Sequence, residues 1–255
     1  MEIRSIILIT SIFCFTALGA LSWDWFFPSF EGDTFAQEIC QLETPLIESA
    51  ITQDPIDGKE KITNYDESSK IKSQKYQRNG FTIHLTDHDI TKMPVDVIVN
   101  AANKTMPWPA GGVCRIIYLA AGHQKLNKWV KANTVADKKG IRLALGKALA
   151  TPSFDLETVG IKNIIHTVGP DARLDEPTSA IYDAYKNSLL LADQLHASSI
   201  AFPAISIGIF ECDKQEVASY ALKAIDEIAP KTKIKDIYLT ILDDEYYQMC
   251  KDILT

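Results

Sequence analysis

The segment 95–122, VDVIVNAANKTMPWPAGGVCRIIYLAAG, constrains the fold of this 255-residue chain more than any other. Its first residues, VDVIV (95–99), put apolar side chains on both faces of the pleat, which is typical of a strand inside a sheet that is covered on both sides. Asn100 and Asn103 follow where this strand should end. The glycine pair 111–112 then precedes an apolar run with helical spacing, so we predict a strand, a glycine turn and a helix.

This order of elements also predicts a ligand. Open α/β sheets bind their ligands at the carboxyl ends of parallel strands. A helix that begins at glycines presents free backbone N–H groups, which bind anions and commonly phosphate. The sequence therefore predicts a phosphate-bearing small molecule beside the two asparagine amides.

The chain is acidic, with 26 Lys and Arg against 33 Asp and Glu, a net charge of −7 and a pI of about 5.3. This charge disfavours a broad surface for nucleic acid or acidic lipid, although a local basic pocket is compatible with it. We therefore expect no DNA partner.

The sequence has no motif for a metal or a cofactor. The cysteines lack CxxC spacing and the histidines are scattered, so we expect free thiols and no metal site. A Walker-type loop and a GxGxxG fingerprint are both absent, which disfavours ordinary nucleotide hydrolysis and nicotinamide chemistry. We interpret His166, in the middle of a predicted strand, as a buried and hydrogen-bonded histidine. The cysteines are Cys14, Cys40, Cys114, Cys212 and Cys250.

The amino terminus, residues 1–22, contains an uncharged apolar run at 5–21. Its length suits either a short membrane anchor or a secretory signal, with the anchor favoured, and a buried soluble helix is the third interpretation. Arg4 precedes the run, and no Lys or Arg occurs between Ser5 and Gly58. By the positive-inside rule, we expect a membrane-anchored or secreted protein whose later residues are exported.

The rest of the chain divides into a linker and one domain. Residues 23–75 show no sustained periodicity and are acidic, then rich in Ser and Lys, which predicts a partly disordered linker. From residue 76 to 255 strands alternate with helices, which predicts an α/β domain with a largely parallel sheet covered on both faces. The predicted strands are FTIHL (81–85), VDVIVNA (95–101), NIIHTV (163–168), SIAFPAI (199–205) and DIYLTIL (236–242), and the predicted helices lie near 113–121, 124–136, 178–197, 214–228 and 244–253.

Five motifs follow one another in this domain. They are DHDIT (87–91), VDVIVNAAN (95–103), AGGVCRIIYLAAG (110–122), IIHTVGP (164–170) and IAFPAISIGIF (200–210). In this order and spacing they resemble the macro domain family over about residues 81–254. The resemblance implies a three-layer α/β/α sandwich with a mostly parallel, mixed central sheet, and it implies ADP-ribose or an ADP-ribosylated protein as the partner.

The resemblance also assigns the two ends of the ligand. It implies that Asp89 accepts a hydrogen bond from the adenine amino group, because a carboxylate can only accept. Ile90 would line the same pocket, and Leu242 would pack on the adenine where the family often has an aromatic residue. Asn103 resembles the asparagine that faces the distal ribose. On the residues alone, Asp89 could instead cap a helix and Asn103 could hold its own turn.

Two loops would hold the diphosphate between them. Backbone amides that approach a diphosphate from two sides need little side-chain bulk, which explains the glycines. The aromatic residue of the second loop would cover the distal ribose, or it would belong to the core. The matching residues are Gly111, Gly112 and Val113 in the first loop and Ser206, Gly208, Ile209 and Phe210 in the second.

Three residues around the first loop depart from the family pattern. Hydrolytic members commonly have an aspartate where this chain has Cys114, and a thiol orients water poorly unless it is ionised. A helix amino terminus favours the thiolate, but two nearby phosphates oppose it. Arg115 replaces a usual glycine and could pair with a phosphate or obstruct the pocket. Trp108 could wall the distal ribose or shield the core.

Three functions remain compatible with the sequence. The first, which we favour, is a monomeric module that binds ADP-ribose or a mono-ADP-ribosylated protein. The second is an ADP-ribosyl hydrolase or O-acetyl-ADP-ribose deacetylase with Asn103 as its catalytic residue, since some hydrolytic relatives lack the aspartate. The third is a degenerate protein-contact module whose pocket Arg115 and Trp108 have closed.

Overall fold

The structure, a computed structural model, describes residues 71–106 and 111–255. The predicted signal or anchor and the predicted linker up to residue 70 lie outside the described residues, and so does Trp108. Within the two described ranges, no helix combines the length and the apolar character that crossing a membrane requires.

Seven strands in the described part of the chain form one mixed sheet with the order β1-β2-β7-β6-β3-β5-β4. The five central strands pair in parallel, while β1 and β4 add antiparallel edges. The strands are β1 Ser73–Gln77, β2 Thr82–Thr86, β3 Val97–Ala101, β4 Ala148–Pro152, β5 Asn163–Thr167, β6 Ser199–Pro203 and β7 Asp236–Thr240.

Helices cover both faces of the sheet, which confirms the predicted three-layer α/β/α sandwich. α3, α4 and α5 pack on one face, against Val97 and Val99 of β3, and α1 and α2 pack on the other face, against Ile98. The alternation of these three residues between two cores follows from the pleat of the strand. The helices are α1 Gly112–Ala120, α2 His123–Asn133, α3 Ala180–Gln194, α4 Lys214–Ile228 and α5 Asp244–Leu254.

The structure contains the five predicted strands and the five predicted helices, but it adds the two edge strands. β1, with the sequence SQKYQ, has no buried residue and therefore no apolar signal. β4 ends at Pro152, which an edge strand tolerates but which argues against a strand in a sequence. Because β1 begins at Ser73, the predicted domain start at residue 76 falls inside this strand.

Aspartates begin the last two helices. Asp213 accepts a hydrogen bond from the Glu216 N–H (2.9 Å), and Asp243 accepts one from the Tyr246 N–H (2.8 Å). These are ordinary N-cap bonds, in which a carboxylate accepts from a backbone N–H that has no acceptor within the helix. The Lys214 ammonium, 2.8 Å from the carboxylate, holds the pKa of Asp243 below its usual value and ties α4 to α5.

Ile98 provides a test of how far the fold depends on β3. It is fully buried between the sheet and the layer formed by α1 and α2. We predict that Ile98→Ala lowers the free energy of unfolding by about 3 kcal/mol, because the lost methyl groups leave a cavity. Urea denaturation followed by circular dichroism measures this loss. The control is Ile116→Ala on α1, where the side chain is 50% exposed, and equal losses in both variants would contradict the prediction.

Candidate functional site

The predicted ligand-binding residues lie at one edge of the sheet. β2, β7, β6 and β3 are neighbours that run parallel, so the loops after them leave from the same edge. Asp89 follows β2, Leu242 follows β7, residues 204–212 follow β6, and Asn103 follows β3. The topology therefore brings these distant parts of the chain together at the edge of the sheet where parallel sheets form a ligand-binding cleft.

The first loop ends at the amino terminus of α1. Gly111 is the N-cap residue, and Gly112 has a φ of 63°, in the left-handed region that favours glycine. The first N–H groups of a helix have no acceptor within the helix, and no side chain caps them here among the described residues. These N–H groups, at residues 112–114, are therefore available to an anion.

The second loop folds back on itself between Ser206 and Cys212. The Cys212 N–H donates to the Ser206 carbonyl (3.1 Å), and the Glu211 N–H donates to the Gly208 carbonyl (3.0 Å). Within residues 71–106 and 111–255, the N–H groups of residues 207–210 have no acceptor. A run of successive free amides after a left-handed residue, here Ser206 with a φ of 65°, forms a concavity that binds anions.

Ile209 connects the two loops. Its Cδ1 atom lies 3.4 Å from the position that a Cβ atom on Gly111 would occupy, and 3.7 Å from the equivalent position on Gly112. The side chain is nevertheless 53% exposed. Ile209 therefore covers the space between the loops without belonging to the core, at ordinary van der Waals distance from the first loop.

Sequence reasoning does not single out Gly169 as a site residue, yet the second loop depends on it. A Cβ atom on Gly169 would lie 2.2 Å from Ser206 Oγ and 2.5 Å from Ile205 Cγ2. Ser206 is thus buried against the end of β5, and it offers a ligand its backbone more readily than its hydroxyl. The glycine in the motif IIHTVGP is the signal that could have identified this contact.

Asp89 uses its two oxygen atoms differently. Oδ1 accepts hydrogen bonds from the Thr91 N–H (2.9 Å) and the Thr91 hydroxyl (2.8 Å), and it caps the short 3-10 helix Ile90–Lys92. Oδ2 lies 3.8 Å from the Lys92 ammonium, and the side chain of Asp89 is 40% exposed. The capping alternative is therefore observed, and it leaves one oxygen accessible to a ligand.

The two apolar residues predicted for the adenine end differ in exposure. Ile90 is 5% exposed and packs with Met93 and Val95, so it belongs mainly to the core. Leu242 is 62% exposed where the chain leaves β7. Leu242 therefore has the room to pack on a flat ring, whereas Ile90 has little surface to offer a ligand.

Asn103 holds its own turn through one end of its amide. Its Oδ1 accepts hydrogen bonds from the Thr105 N–H (3.0 Å), the Thr105 hydroxyl (2.8 Å) and the Met106 N–H (2.8 Å). The turn alternative for this residue is therefore also observed. The Nδ2 group has no acceptor in the described part of the chain and can still donate to a ligand.

Cys114 is a buried, neutral thiol below the first loop. It is 6% exposed, and Asn100 donates a hydrogen bond to its sulfur through Nδ2 (3.1 Å). Burial raises the pKa of the Cys114 thiol to about 11, so the thiol is protonated at neutral pH. The alternative that the helix amino terminus ionises Cys114 is therefore disfavoured, and this residue is neither a nucleophile nor an anion that orients water.

His166 lies on the other side of Asn100 and is also neutral. The Thr151 hydroxyl donates to the Pro152 carbonyl (3.0 Å), so it accepts the Nε2–H of His166 (3.1 Å). His166 Nδ1 then accepts from Asn100 Nδ2 (3.0 Å). This arrangement fixes the tautomer and gives His166 the buried, hydrogen-bonded role that its position in β5 predicts. Burial lowers its pKa to about 3.

Arg115 is exposed on α1, so its side chain is not packed into the interior of the protein. No ion pair or hydrogen bond holds it among residues 71–106 and 111–255. The predicted role of Trp108 lies outside the described residues and stays a prediction.

Arg173 is a second residue that sequence reasoning missed. Its guanidinium lies 5.7 Å from the centre of the Phe210 ring and donates to the Asp171 carboxylate through Nε (2.9 Å) and Nη2 (2.7 Å). This guanidinium holds the pKa of Asp171 below its usual value. Arg173 thus supports Phe210 at the rim of the cleft. The contact forms because the loop after β5 meets the loop after β6.

The buried histidine predicts a dependence of stability on pH. The unfolded chain binds a proton at His166 below about pH 6.5, whereas the folded protein does so only near pH 3. The contribution of neutral His166 is therefore fully present above about pH 6.5 and is lost as the pH falls. We predict that the unfolding free energy of the parent falls by roughly 2 kcal/mol more than that of His166→Gln between about pH 6.5 and 4.5.

Urea denaturation of both proteins at each pH measures this difference. Ionisable groups that the two proteins share cancel in the comparison, so the extra fall reports on His166 alone. Parallel pH profiles for parent and variant would show that burial does not lower the pKa of His166 in the folded protein.

Comparisons with known proteins agree with this geometry. A model of the macro domain family matches residues 99–221. An ADP-ribose glycohydrolase of Archaeoglobus fulgidus is 33% identical over 166 residues, which cover 64% of this chain and 86% of that protein. An O-acetyl-ADP-ribose deacetylase of Escherichia coli K12 is 36% identical over 176 residues, which cover 68% of this chain and 95% of that protein.

Solved structures are similar as well. The Oceanobacillus iheyensis macrodomain with ADP matches with a TM-score of 0.64 and 30% identity, covering 73% of this chain and 96% of that one. The Trypanosoma brucei macrodomain in complex with ADP-ribose matches with a TM-score of 0.58 over 68% of this chain and 69% of that one, and its 21% identity supports the fold alone. Sequence, sheet topology and loop geometry lead to the same conclusion: the chain belongs to the macro domain family.

Proposed function

We propose that this protein binds ADP-ribose, either free or carried on a mono-ADP-ribosylated protein. The observation that carries the proposal is the pair of loops with free backbone amides, at residues 112–114 and 207–210, which Ile209 brings into contact. Two such runs of N–H groups can bind the two phosphates of a diphosphate. The similar Oceanobacillus iheyensis structure with ADP supports the same class of ligand.

The order of the strands gives the ligand a direction. β2 and β7 lie on one side of β6, and β3 lies on the other. The adenine therefore binds near Asp89 and Leu242, with the accessible carboxylate oxygen accepting from the adenine amino group. The distal ribose lies near Asn103, whose Nδ2 donates to a hydroxyl group, and Phe210 covers it.

Ile209 must leave the space between the loops when the diphosphate enters. Because the side chain is 53% exposed, its displacement sacrifices little apolar burial. The displaced side chain can then pack on the ligand, and the loops close around the phosphates without rearrangement of the core.

Binding is the favoured function because of Cys114. The family's hydrolytic members commonly have an aspartate at this position, and a thiol whose pKa is raised to about 11 cannot replace its charge. The third candidate, a closed protein-contact module, loses support because Arg115 is exposed.

Hydrolysis of an ADP-ribosyl bond is the second candidate. The free Nδ2 of Asn103 favours it, since this group can orient the distal ribose next to the bond that breaks. Relatives named as a glycohydrolase and as a deacetylase favour it as well.

Gly208 provides the test of the diphosphate site. A Cβ atom on this glycine would meet no protein atom within 4 Å, so a larger side chain extends into open space instead of the core. We predict that Gly208→Val weakens ADP-ribose binding at least about tenfold, which is about 1.4 kcal/mol, because the new side chain occupies the path of the ligand. Isothermal titration calorimetry measures the dissociation constant.

The control for this test is Ser219→Val on the exposed face of α4, which adds similar bulk far from the loops. It should bind ADP-ribose as the parent does. If the parent itself shows no heat of binding, ADP-ribose is not its ligand.

Variants of Asn103 and Thr105 distinguish the contact with the ligand from the hydrogen bonds that hold the turn. Asn103→Asp keeps the Oδ1 acceptor of the turn but removes the Nδ2 donor, so we predict binding about tenfold weaker with little change in stability. Thr105→Val removes one hydrogen bond of the turn, so we predict a loss of about 1 kcal/mol in unfolding free energy and nearly unchanged binding. Calorimetry and urea denaturation measure the two effects.

The same variants decide between the two candidate functions. Incubation with a mono-ADP-ribosylated protein should leave the modification in place if this chain only binds it. If the parent removes the modification and the Asn103→Asp variant does not, the hydrolase is the correct function and the binding module is not.

A further inference from the structure

One stretch of this acidic protein is strongly basic. Residues 123–147, which comprise α2 and the loop that leads to β4, contain six lysines and one arginine against one aspartate. Their net charge is +6 with histidine neutral, in a chain whose net charge is −7. We call this stretch the basic surface.

Most of its lysines are exposed and unpaired. Lys125 forms an ion pair with Asp155 (2.5 Å). The other five are exposed, and in the described part of the chain they have no ion pair. They are Lys128, Lys131, Lys138, Lys139 and Lys147.

The single acidic residue of the stretch shapes the loop. The Asp137 carboxylate accepts hydrogen bonds from the Lys139 N–H (2.8 Å) and the Ile141 N–H (2.9 Å). It thereby holds a tight turn that displays Lys138 and Lys139 at its tip. An aspartate that is bonded to backbone amides leaves the two ammonium groups free for a partner.

The basic surface adjoins the distal-ribose end of the cleft. The N–H groups of Arg142 and Leu143 donate to the Lys104 carbonyl (2.8 and 3.0 Å), directly after Asn103. Arg142 Nη1 also donates to the Thr134 carbonyl (2.6 Å), which fastens the loop to the end of α2. The lysines are therefore attached to the part of the site where a modified macromolecule would leave it.

We propose that the basic surface binds an acidic polypeptide segment that flanks the ADP-ribosylated residue. This inference rests on the proposed function, because the distal ribose carries the bond to the modified protein. Lysines without an ion pair in the described residues, on a loop hydrogen-bonded to Lys104, attract aspartates and glutamates near that bond, and such charges at the rim of a site add specificity and speed of association.

The composition of the surface favours a polypeptide over a nucleic acid. Six of its seven cations are lysines, and the single guanidinium, that of Arg142, is bonded within the loop, whereas phosphate recognition favours free arginines. Trp129, the one aromatic residue of this stretch, is partly buried against the core, so its ring is not freely presented for stacking on a base. Val135 is 89% exposed between the lysines, and an apolar side chain suits a peptide.

Two ADP-ribosylated peptides test the proposal. They carry ADP-ribose through the same hydrolysis-resistant linkage and differ only in having acidic or neutral flanking residues. We expect the full chain to bind the acidic peptide about fivefold more tightly at low salt, and we expect this preference to disappear near 1 M salt, where charges are screened within about 3 Å. Fluorescence polarisation measures both dissociation constants.

The variant Lys138→Gln/Lys139→Gln should lose most of the preference and still bind free ADP-ribose as the parent does. The matched control is Lys231→Gln/Lys233→Gln, which removes the same charge from two exposed lysines. These lysines precede β7, at the end of the strand opposite to the ligand-binding loops. The control should keep the preference for the acidic peptide. A loss of equal size in both variants would show a general effect of net charge and overturn the proposal.

The remaining outcomes separate this inference from the proposed function. Binding of free ADP-ribose without any preference for the acidic peptide would overturn the inference alone. No binding of free ADP-ribose would overturn the proposed function. Tighter binding of an ADP-ribosylated oligonucleotide with the same net charge would assign the surface to nucleic acid.

Discussion

The burial of β3 on both faces is the constraint on which the rest of the structure depends. Val97 and Val99 pack into one core and Ile98 into the other, so the strand can lie only inside a covered sheet. Its neighbours β5 and β6 run parallel to it. A parallel arrangement sends every following loop to the same edge, and this is why the cleft forms there.

The cleft works through backbone amides in place of charged side chains. Free N–H groups would be costly in the core, but residues 208 and 209 are exposed and can be hydrated until an anion replaces the water. Below them, Asn100, Cys114 and His166 form a buried hydrogen-bonded group that carries no charge. A neutral floor avoids repulsion with a diphosphate, which suits retention of the ligand better than hydrolysis.

Exposed charge is arranged differently at the two ends of the site. At the end where we propose that adenine binds, the carboxylate of Asp89 is partly used by its own turn. At the distal end, a loop braced by Asp137 and Arg142 displays lysines that have no partner within residues 71–106 and 111–255. The site thus combines a cradle of backbone amides with a rim of exposed lysines, whose charge we propose distinguishes one modified protein from another.

The sequence by itself determined the strand–loop–helix order, the covered sheet and the two glycine loops, because apolar periodicity and glycine positions are local signals. It did not indicate β1, a polar edge strand, or β4, which ends in proline, because pairing with a neighbour defines such edges. Tertiary structure alone decided that Asp89 and Asn103 each share their polar atoms between a turn and the cleft. It also decided that the absence of a side chain at Gly169 leaves room for Ser206, that Arg173 packs against Phe210, and that burial keeps Cys114 protonated. These properties depend on which distant segments meet, and no local pattern encodes that.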